Sequence, residues 1–329
     1  MTSAASATLS GAEIGTIARA VSRAPSVHNS QPWQLLVRGN AVDLSERREV
    51  GLRRHDPWGR DRMLSCGAAL TDLELAVRSL GRECALEVFD DGGVVATATI
   101  GGRRAAGAQE LALYRAIGRR RSHRRPFRHG RVPESGWAAL IAAAEGKGVR
   151  AFVPGRLDKL AEMFGFATRV FREDRGYQRE LELWTAHTTG VYATGDGVPE
   201  DALSDEALPV AGLVRPDTPV PDDVRLATRL AAENLLIFCT DTDSRFDHVA
   251  AGAALQRVWL TATAKSLVGS VLTQPLHLTG FRERLAKTQD LPGVPQAIFR
   301  FGHPAAGAAP SPRLPLGELF PHGPTGGLR

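Results

Sequence analysis

Between positions 119 and 131 the sequence reads RRRSHRRPFRHGR, which gathers Arg119, Arg120, Arg121, Arg124, Arg125, Arg128 and Arg131 around the hydroxyl of Ser122. Guanidinium forks match phosphate oxygens two bonds at a time. Each charge-assisted bond is worth about 1.5 to 3 kcal/mol, so two or three of these side chains would hold a phosphate without a glycine-rich loop. The same run also reads as a solvated basic stretch or as an RNA-contacting patch, and the segment alone does not choose between them. A second segment, Pro25-Ser26-Val27-His28-Asn29-Ser30-Gln31-Pro32-Trp33, crowds hydroxyl and amide groups between two prolines that fix the backbone. Such groups suit the hydroxyls of a polyol chain and the edge of a pyrimidine ring. The plainer alternative is a turn closed by its own Ser and Asn side chains.

Composition narrows the partners. The 329 residues are 43% hydrophobic and 23% charged, the profile of a folded protein, and the net charge is +5. Charges outside the arginine segment are mixed in sign, so the excess is local and favours a site for a phosphorylated ligand over a nucleic acid or a membrane surface. Cys66, Cys84 and Cys239 are an odd number without CxxC spacing, which suggests reduced thiols and neither a disulfide framework nor a zinc site. The nine histidines include no HExxH, and no metal is expected. The N-terminal MTSAASATLSGAEIG has neither the basic start nor the apolar core of a secretory signal, and no later stretch is apolar for long enough to span a bilayer. A cytoplasmic protein is expected.

The elements that must position these segments can be followed along the chain. Ser10 and Glu13 form a capping box ahead of Ile14, Ile17, Ala18 and Val21, and Pro25 stops that helix. Trp33 to Arg38 and Ala41 to Ser45 form a hairpin around Gly39-Asn40. Asp61 to Leu80 predicts a helix with little polar face, followed by strands at Glu83 to Phe89 and Val94 to Ile100. Helices follow near Gln109 to Arg119, Glu134 to Ala144 and Leu157 to Arg172, with another running to about Ala186. The stretch from Thr188 to about Pro221 is rich in Thr, Gly, Pro and Asp, which predicts a lid or mobile excursion; Trp184, His187 and Tyr192 flank it as candidate pocket residues, with ordinary surface packing as the plainer reading. A further helix, a strand at Asn234 to Thr240, a helix near Val249 to Ser266 and strands at Leu267 to Leu272 and Pro295 to Phe301 complete the pattern. The Pro- and Ala-rich tail after Gly302 either stays mobile or wraps over the body. One similarity is internal: Cys66-Gly-Ala-Ala-Leu70 returns as Ala251-Gly-Ala-Ala-Leu255, each near the start of an apolar helix.

Taken together, APSVHNSQPW (24–33), SCGAALTDLELA (65–76), RRRSHRRPF (119–127), AGAALQRVWLTATAKSL (251–267), LTQP (272–275) and QAIFRFGHP (296–304) resemble the nitroreductase-like flavoproteins, specifically their Acg branch. The resemblance covers nearly the whole chain. It implies an α+β nitroreductase-like fold of two similar halves fused as a pseudo-dimer, residues 1–105 and 106–329. It also implies bound FMN, with Arg120, Ser122 and Arg124 at the phosphate and ribityl end and Ser26 and Asn29 reaching it from the opposite half. Arg313, in SPRLPLGEL, resembles the family's C-terminal phosphate-contacting residue, although relatives often carry two adjacent arginines where this chain has Arg313-Leu314. Thr273 and Gln274 resemble the backbone segment facing flavin N5; relatives often continue QP with Leu-Glu, and here it is Leu276-His277.

The activity so implied is an oxidoreductase whose flavin accepts hydride from NAD(P)H and passes two electrons to a nitroaromatic or quinone-like acceptor. No GxGxxG fingerprint is present, so the nicotinamide is expected to stack on the flavin, and no side chain is assigned as catalytic acid or base. An FMN-sequestering or storage protein, its flavin buried under the 188–221 segment, is the alternative. Neither nucleic acid nor membrane is an expected partner. A monomer is expected because a fused pair can complete its own site, with a homodimer as the other arrangement.

Overall fold

In a computed structural model of the chain, the structure describes residues 8–128, 130–186, 194–199, 202, 208–211, 213–305, 307 and 310–320. Helix α1 (Gly11–Val21) is capped as the sequence predicts, with Ser10 and Glu13 bonded reciprocally. Strands β1 (Trp33–Arg38) and β2 (Ala41–Glu46) form the hairpin, and Gly39 at its turn takes φ +62°. Helix α2 (Arg60–Ser79) is buried along most of its length and leads into β3 (Arg82–Val88) and β4 (Val94–Arg103). These strands form one antiparallel sheet in the order β1-β2-β4-β3.

The chain continues with α3 (Ala108–Ile117), α4 (Glu134–Ala144), β5 (Val149–Phe152), α5 (Leu157–Glu173), α6 (Arg175–Ala186) and α7 (Asp223–Ala231). After them come β6 (Asn234–Thr240), α8 (Arg245–Ala264), β7 (Val268–Leu272), α9 (Phe281–Thr288) and β8 (Val294–Gly302). The second sheet is again antiparallel, in the order β5-β6-β8-β7. Each sheet therefore arranges its own strands first, second, fourth, third, and each joins its second strand to its third through a long buried helix, α2 or α8. This is the α+β architecture of two similar halves.

Three departures from the sequence reading have local causes. Helix α8 starts at Arg245, four residues before the predicted Val249, because Ser244 and Asp247 form a capping box. Strand β5 has only four residues, too few for alternation to register, and α9 buries only Phe281 and Leu285.

The two halves meet where α2 crosses α8. A methyl group built on Gly67 would lie 2.1 Å from the Val249 carbonyl oxygen, and one on Gly252 2.0 Å from that of Leu64. The repeated Gly-Ala-Ala-Leu thus sits at the crossing, where only glycine lets the backbones approach so closely. Across the same contact Thr71 Oγ1 donates to the Ala253 carbonyl (3.2 Å) and Gln256 Nε2 to Asp72 Oδ1 (2.8 Å). The fully buried Glu46 carboxylate ties the end of β2 to both helix starts, paired with Arg62 (2.8 Å) and Arg245 (2.9 Å) as well as Arg48 (2.8 Å). Of the described tail, Pro310–Phe320 folds back over the first half and buries Leu319 there. No described helix is long and apolar enough to cross a membrane.

Candidate functional site

The loop after α1 is held in an uncommon backbone shape. His28, Asn29 and Gln31 all take positive φ, 47°, 57° and 48°, a region that costs an L-residue energy and persists only where surroundings enforce it. The enforcing bonds are visible. Ser26 Oγ accepts from the Gln31 amide (2.9 Å) and Ser65 Oγ, on α2, from the Val27 amide (3.1 Å). Asn29 Nδ2 donates to the Pro312 carbonyl (3.0 Å), and Asn29 Oδ1 accepts from Arg313. Gln31 accepts from the Leu314 amide (3.1 Å) and donates to the Gly195 carbonyl (2.9 Å). The tail and the 194–199 segment therefore clamp the loop from outside.

The arginine loop is fixed from the second half. Ser122 forms a parallel bridge with Gly269 on β7, and the His123 amide donates to the Gly269 carbonyl (2.8 Å). Arg300, on β8 and fully buried, donates to the carbonyls of His123 (3.2 Å) and Arg125 (3.3 Å) while paired with Glu233 at 2.6 Å. Its guanidinium also lies 4.2 Å from the Phe127 ring centre. Arg300 thus positions the loop that carries Ser122 and Arg124.

The two loops enclose two adjoining cavities that share Pro25, Ser26, Ser122 and Arg124. The smaller, about 280 Å³, is lined by Ser26, Asn29, Arg120, Ser122, Arg124 and Arg313. The larger, open-sided and about 780 Å³, reaches Thr273 and Gln274, with Leu64 and Ala68 of α2, Leu255 and Trp259 of α8, and Val210 and Leu213 on its walls. All eight residues that the resemblance assigns to the cofactor therefore line one or the other of these two adjoining cavities. Trp184 does not; it sits on α6, where its carbonyl accepts from the Val198 amide (2.9 Å). His187, Tyr192 and much of the 188–221 segment lie outside the described residues.

Charge distinguishes the two cavities. Arg120 is 4% exposed, rests 4.6 Å over the Trp259 ring and donates to the Arg23 carbonyl, yet its Nε and Nη1 have no partner; neither has Arg313 Nε. Burial pushes Arg120 and Arg124 down to about 10 and Arg313 to about 9. Buried cations with unsatisfied N–H groups are costly unless an anion meets them, so the smaller cavity fits a phosphate. Behind it, burial drives the Asp72 carboxyl up to about 7, against the pull of its bond from Gln256 and of Arg120 and Arg313.

At its far end the larger cavity meets a cluster the sequence reading missed. Asp61, the second residue of α2, accepts from Thr273 and lies 3.2 Å from His55 Nε2, 3.0 Å from His277 Nε2 and 3.0 Å from Arg60. The three acid and imidazole groups fall within 4.8 Å of one another, but Arg60 already caps the carboxylate and stands 3.4 Å from His277 Nε2. That makes an ion-pair network and not a cation site. The departure at Leu276-His277 was the one sequence signal for it.

No family model matches the chain. The Mycobacterium tuberculosis protein named "Putative NAD(P)H nitroreductase Rv3131" is 34% identical over 313 residues, covering 93% of this chain and 89% of its own length. A second protein of that organism, "Putative NAD(P)H nitroreductase acg", is 27% identical over 309 residues, covering 91% and 92%. A solved structure, the FMN-dependent nitroreductase NfnB from Mycobacterium smegmatis in complex with NADPH, aligns with a TM-score of 0.40 at 18% identity, over 63% of this chain and 96% of that one.

Proposed function

The chain belongs to the nitroreductase family, and we propose that it holds one FMN at the seam of its halves and works as an NAD(P)H-dependent oxidoreductase on nitroaromatic or quinone-like acceptors. The observation that carries this reading is the set of buried guanidinium groups whose N–H groups lack partners around the smaller cavity. Arg120, Ser122, Arg124 and Arg313 would bind the phosphate, Ser26 and Asn29 would reach the ribityl chain from the first half, and Thr273 and Gln274 would border the ring. Bound FMN supplies two-electron transfer between a hydride donor and an acceptor. The chain's own residues bind it, orient it and limit access. Residues 1–105 and 106–329 are taken as the halves; the division falls between the end of β4 and the start of α3.

A second reading, FMN sequestration, is favoured by one feature. Val210 and Leu213 line the larger cavity, and Leu208, Val210 and Val214 anchor that stretch in the core of the second half, so part of the 188–221 excursion would border the place where a second substrate stacks. An absorbance spectrum of FMN-loaded protein after desalting, repeated anaerobically with NADH and NADPH, separates the readings. Retained flavin bands that bleach with nucleotide support the oxidoreductase. Bands that only dithionite bleaches support sequestration. Failure to retain flavin overturns both.

A further inference from the structure

We propose that Arg23, Arg120, Arg121 and Arg313 form a second oxyanion subsite, on the outer side of the smaller cavity, which takes a phosphoryl group in addition to the flavin's own. The subsite goes beyond the oxidoreductase reading and does not depend on it.

The place is a further cavity, about 230 Å³, lined by Arg23, Arg120, Arg121, Pro310, Ser311 and Arg313, none of them acidic. It shares Arg120, Ser311 and Arg313 with the smaller cavity, so the two adjoin through a pair of guanidinium groups. The backbone brings that pair together. Arg120 Nη2 and Arg313 Nη2 both donate to the Arg23 carbonyl, at 3.1 and 3.0 Å, so two cations hang on one neutral oxygen. Arg121 is pinned alongside, its Nη1 donating to the carbonyls of Gly118 (2.9 Å) and Arg120 (2.8 Å). Arg120 Nε and Nη1 and Arg313 Nε are buried without partners.

Charge in this cluster asks for more than one anion. Burial first, then the like charges of Arg120, Arg23 and Arg121, lower Arg313, and Asp72 opposes them. Burial lowers Arg120 as well, with Arg121, Arg124 and Arg23 adding to it against Asp72. Arg121 is lowered by burial and then by Arg23. Together the two adjoining cavities gather five guanidinium groups, Arg124 included. A phosphate monoester brings about two negative charges. Asp72, fully buried at the helix crossing, brings at most a single charge. One phosphate therefore leaves the cluster positive, and a second phosphoryl group on the outer face of Arg120 and Arg313 compensates it.

The donor set selects the ligand class. Guanidinium forks meet phosphoryl oxygens two bonds at a time, and Ser311, on the wall of both cavities, adds a hydroxyl. The rims differ. Gly197, Val198 and Pro199 line the smaller cavity, and Val198 is buried; Arg23 and Pro310, on the outer one, are exposed, so whatever is attached to a phosphoryl group bound there extends into solvent. Two sources supply this chemistry: free orthophosphate lodged beside FMN, or the second phosphoryl group of a flavin dinucleotide whose adenosine lies outside.

The test titrates inorganic phosphate by calorimetry into flavin-free and FMN-loaded protein, with ionic strength held constant by potassium chloride, and separately compares retention of FMN and FAD. The subsite predicts two phosphates per flavin-free chain and one per FMN-loaded chain. Arg23→Gln and Arg121→Gln should each weaken the outer phosphate about 10-fold, while FMN still stays bound through desalting. Orthophosphate bound beside FMN identifies the free anion as the occupant. FAD retained more tightly than FMN, in a form that no longer takes up phosphate, identifies the linked one, and the two substitutions should then erase the advantage of FAD. FMN-loaded protein that binds no phosphate and holds FAD no better than FMN overturns the subsite, as do wild-type phosphate affinities in both variants. Protein that retains no FMN yet binds two phosphates, one of them weakened by the substitutions, overturns the flavin reading and leaves the subsite standing.

Discussion

Arg120 is a liability to the fold unless something anionic lies against it, since a buried guanidinium with two unsatisfied nitrogens carries its desolvation cost uncompensated. Replacing it with methionine should leave the flavin-free protein as stable or more stable, yet weaken FMN binding by about 10- to 150-fold, one or two charge-assisted bonds. Thermal melts with and without FMN check this: the ligand should raise the wild-type Tm and barely move that of the variant. Asp72 offers a prediction of opposite form. Its carboxyl is raised from 3.8 to about 7, mainly by burial, so below 3.8 both folded and unfolded chains hold the proton, and between 3.8 and 7 only the folded chain does. Its contribution to stability is therefore fully present in acid and is lost as pH rises through about 7. Asp72→Asn should match the wild type near pH 4 and exceed it by a few kcal/mol near pH 8 in denaturant melts of the flavin-free protein. At this scale the sequence displayed the arginines but not which of them turn inward, because inward placement depends on Trp259 and Arg300, far along the chain. The Asp61–His277 pair was hidden for a related reason: Asp61 is ordinary in its own segment, and His277 stood out only as a departure from the resemblance, with nothing to tie it to a residue 216 positions earlier.

The two long helices are where pattern becomes architecture. Gly67 and Gly252 face backbone rather than flexible side chains, so an added methyl cannot be relieved by a rotamer change and must push the halves apart. Gly67→Ala and Gly252→Ala should each cost about 3 kcal/mol or more, whereas Gly102→Ala, with nothing within 4 Å, should stay within about 0.5 kcal/mol. Equilibrium unfolding of the three variants decides it, and a tolerant Gly67 would mean that the crossing is looser than its geometry. Much of this scale was legible. The β1 strand, α4 and β6 fall at the predicted residues, because alternation, helical period and turn residues agree there. The repeated Gly-Ala-Ala-Leu was visible as a repeat, but its meaning as a contact required both helices in space. Elements too short or too polar to carry a period, such as β5 and α9, left no comparable trace.

At the scale of the whole molecule the site belongs to neither half alone, and the tail closes it. The first half supplies Ser26 and Asn29, the second the arginine loop and the Thr273 segment, and residues 310–320 return across the first half to bring Arg313 into the smaller cavity. The same tail segment accepts from Asn29 through Pro312 and donates to Gln31 through Leu314, holding two of the three left-handed residues of the loop. It thus contributes both a charge and the shape of its neighbour. A chain ending before Pro310 should still fold, since β8 is complete at Gly302, with a lower Tm from the lost burial of Leu319. Its FMN affinity should fall further than that of Arg313→Met, because truncation also frees the strained loop to relax. Titrating flavin fluorescence against the full chain, the point variant and the truncation gives the three affinities. If truncation and Arg313→Met weaken binding equally, the tail contributes only its charge. If truncation weakens it more, the backbone clamp on Asn29 and Gln31 is part of what keeps the site in shape.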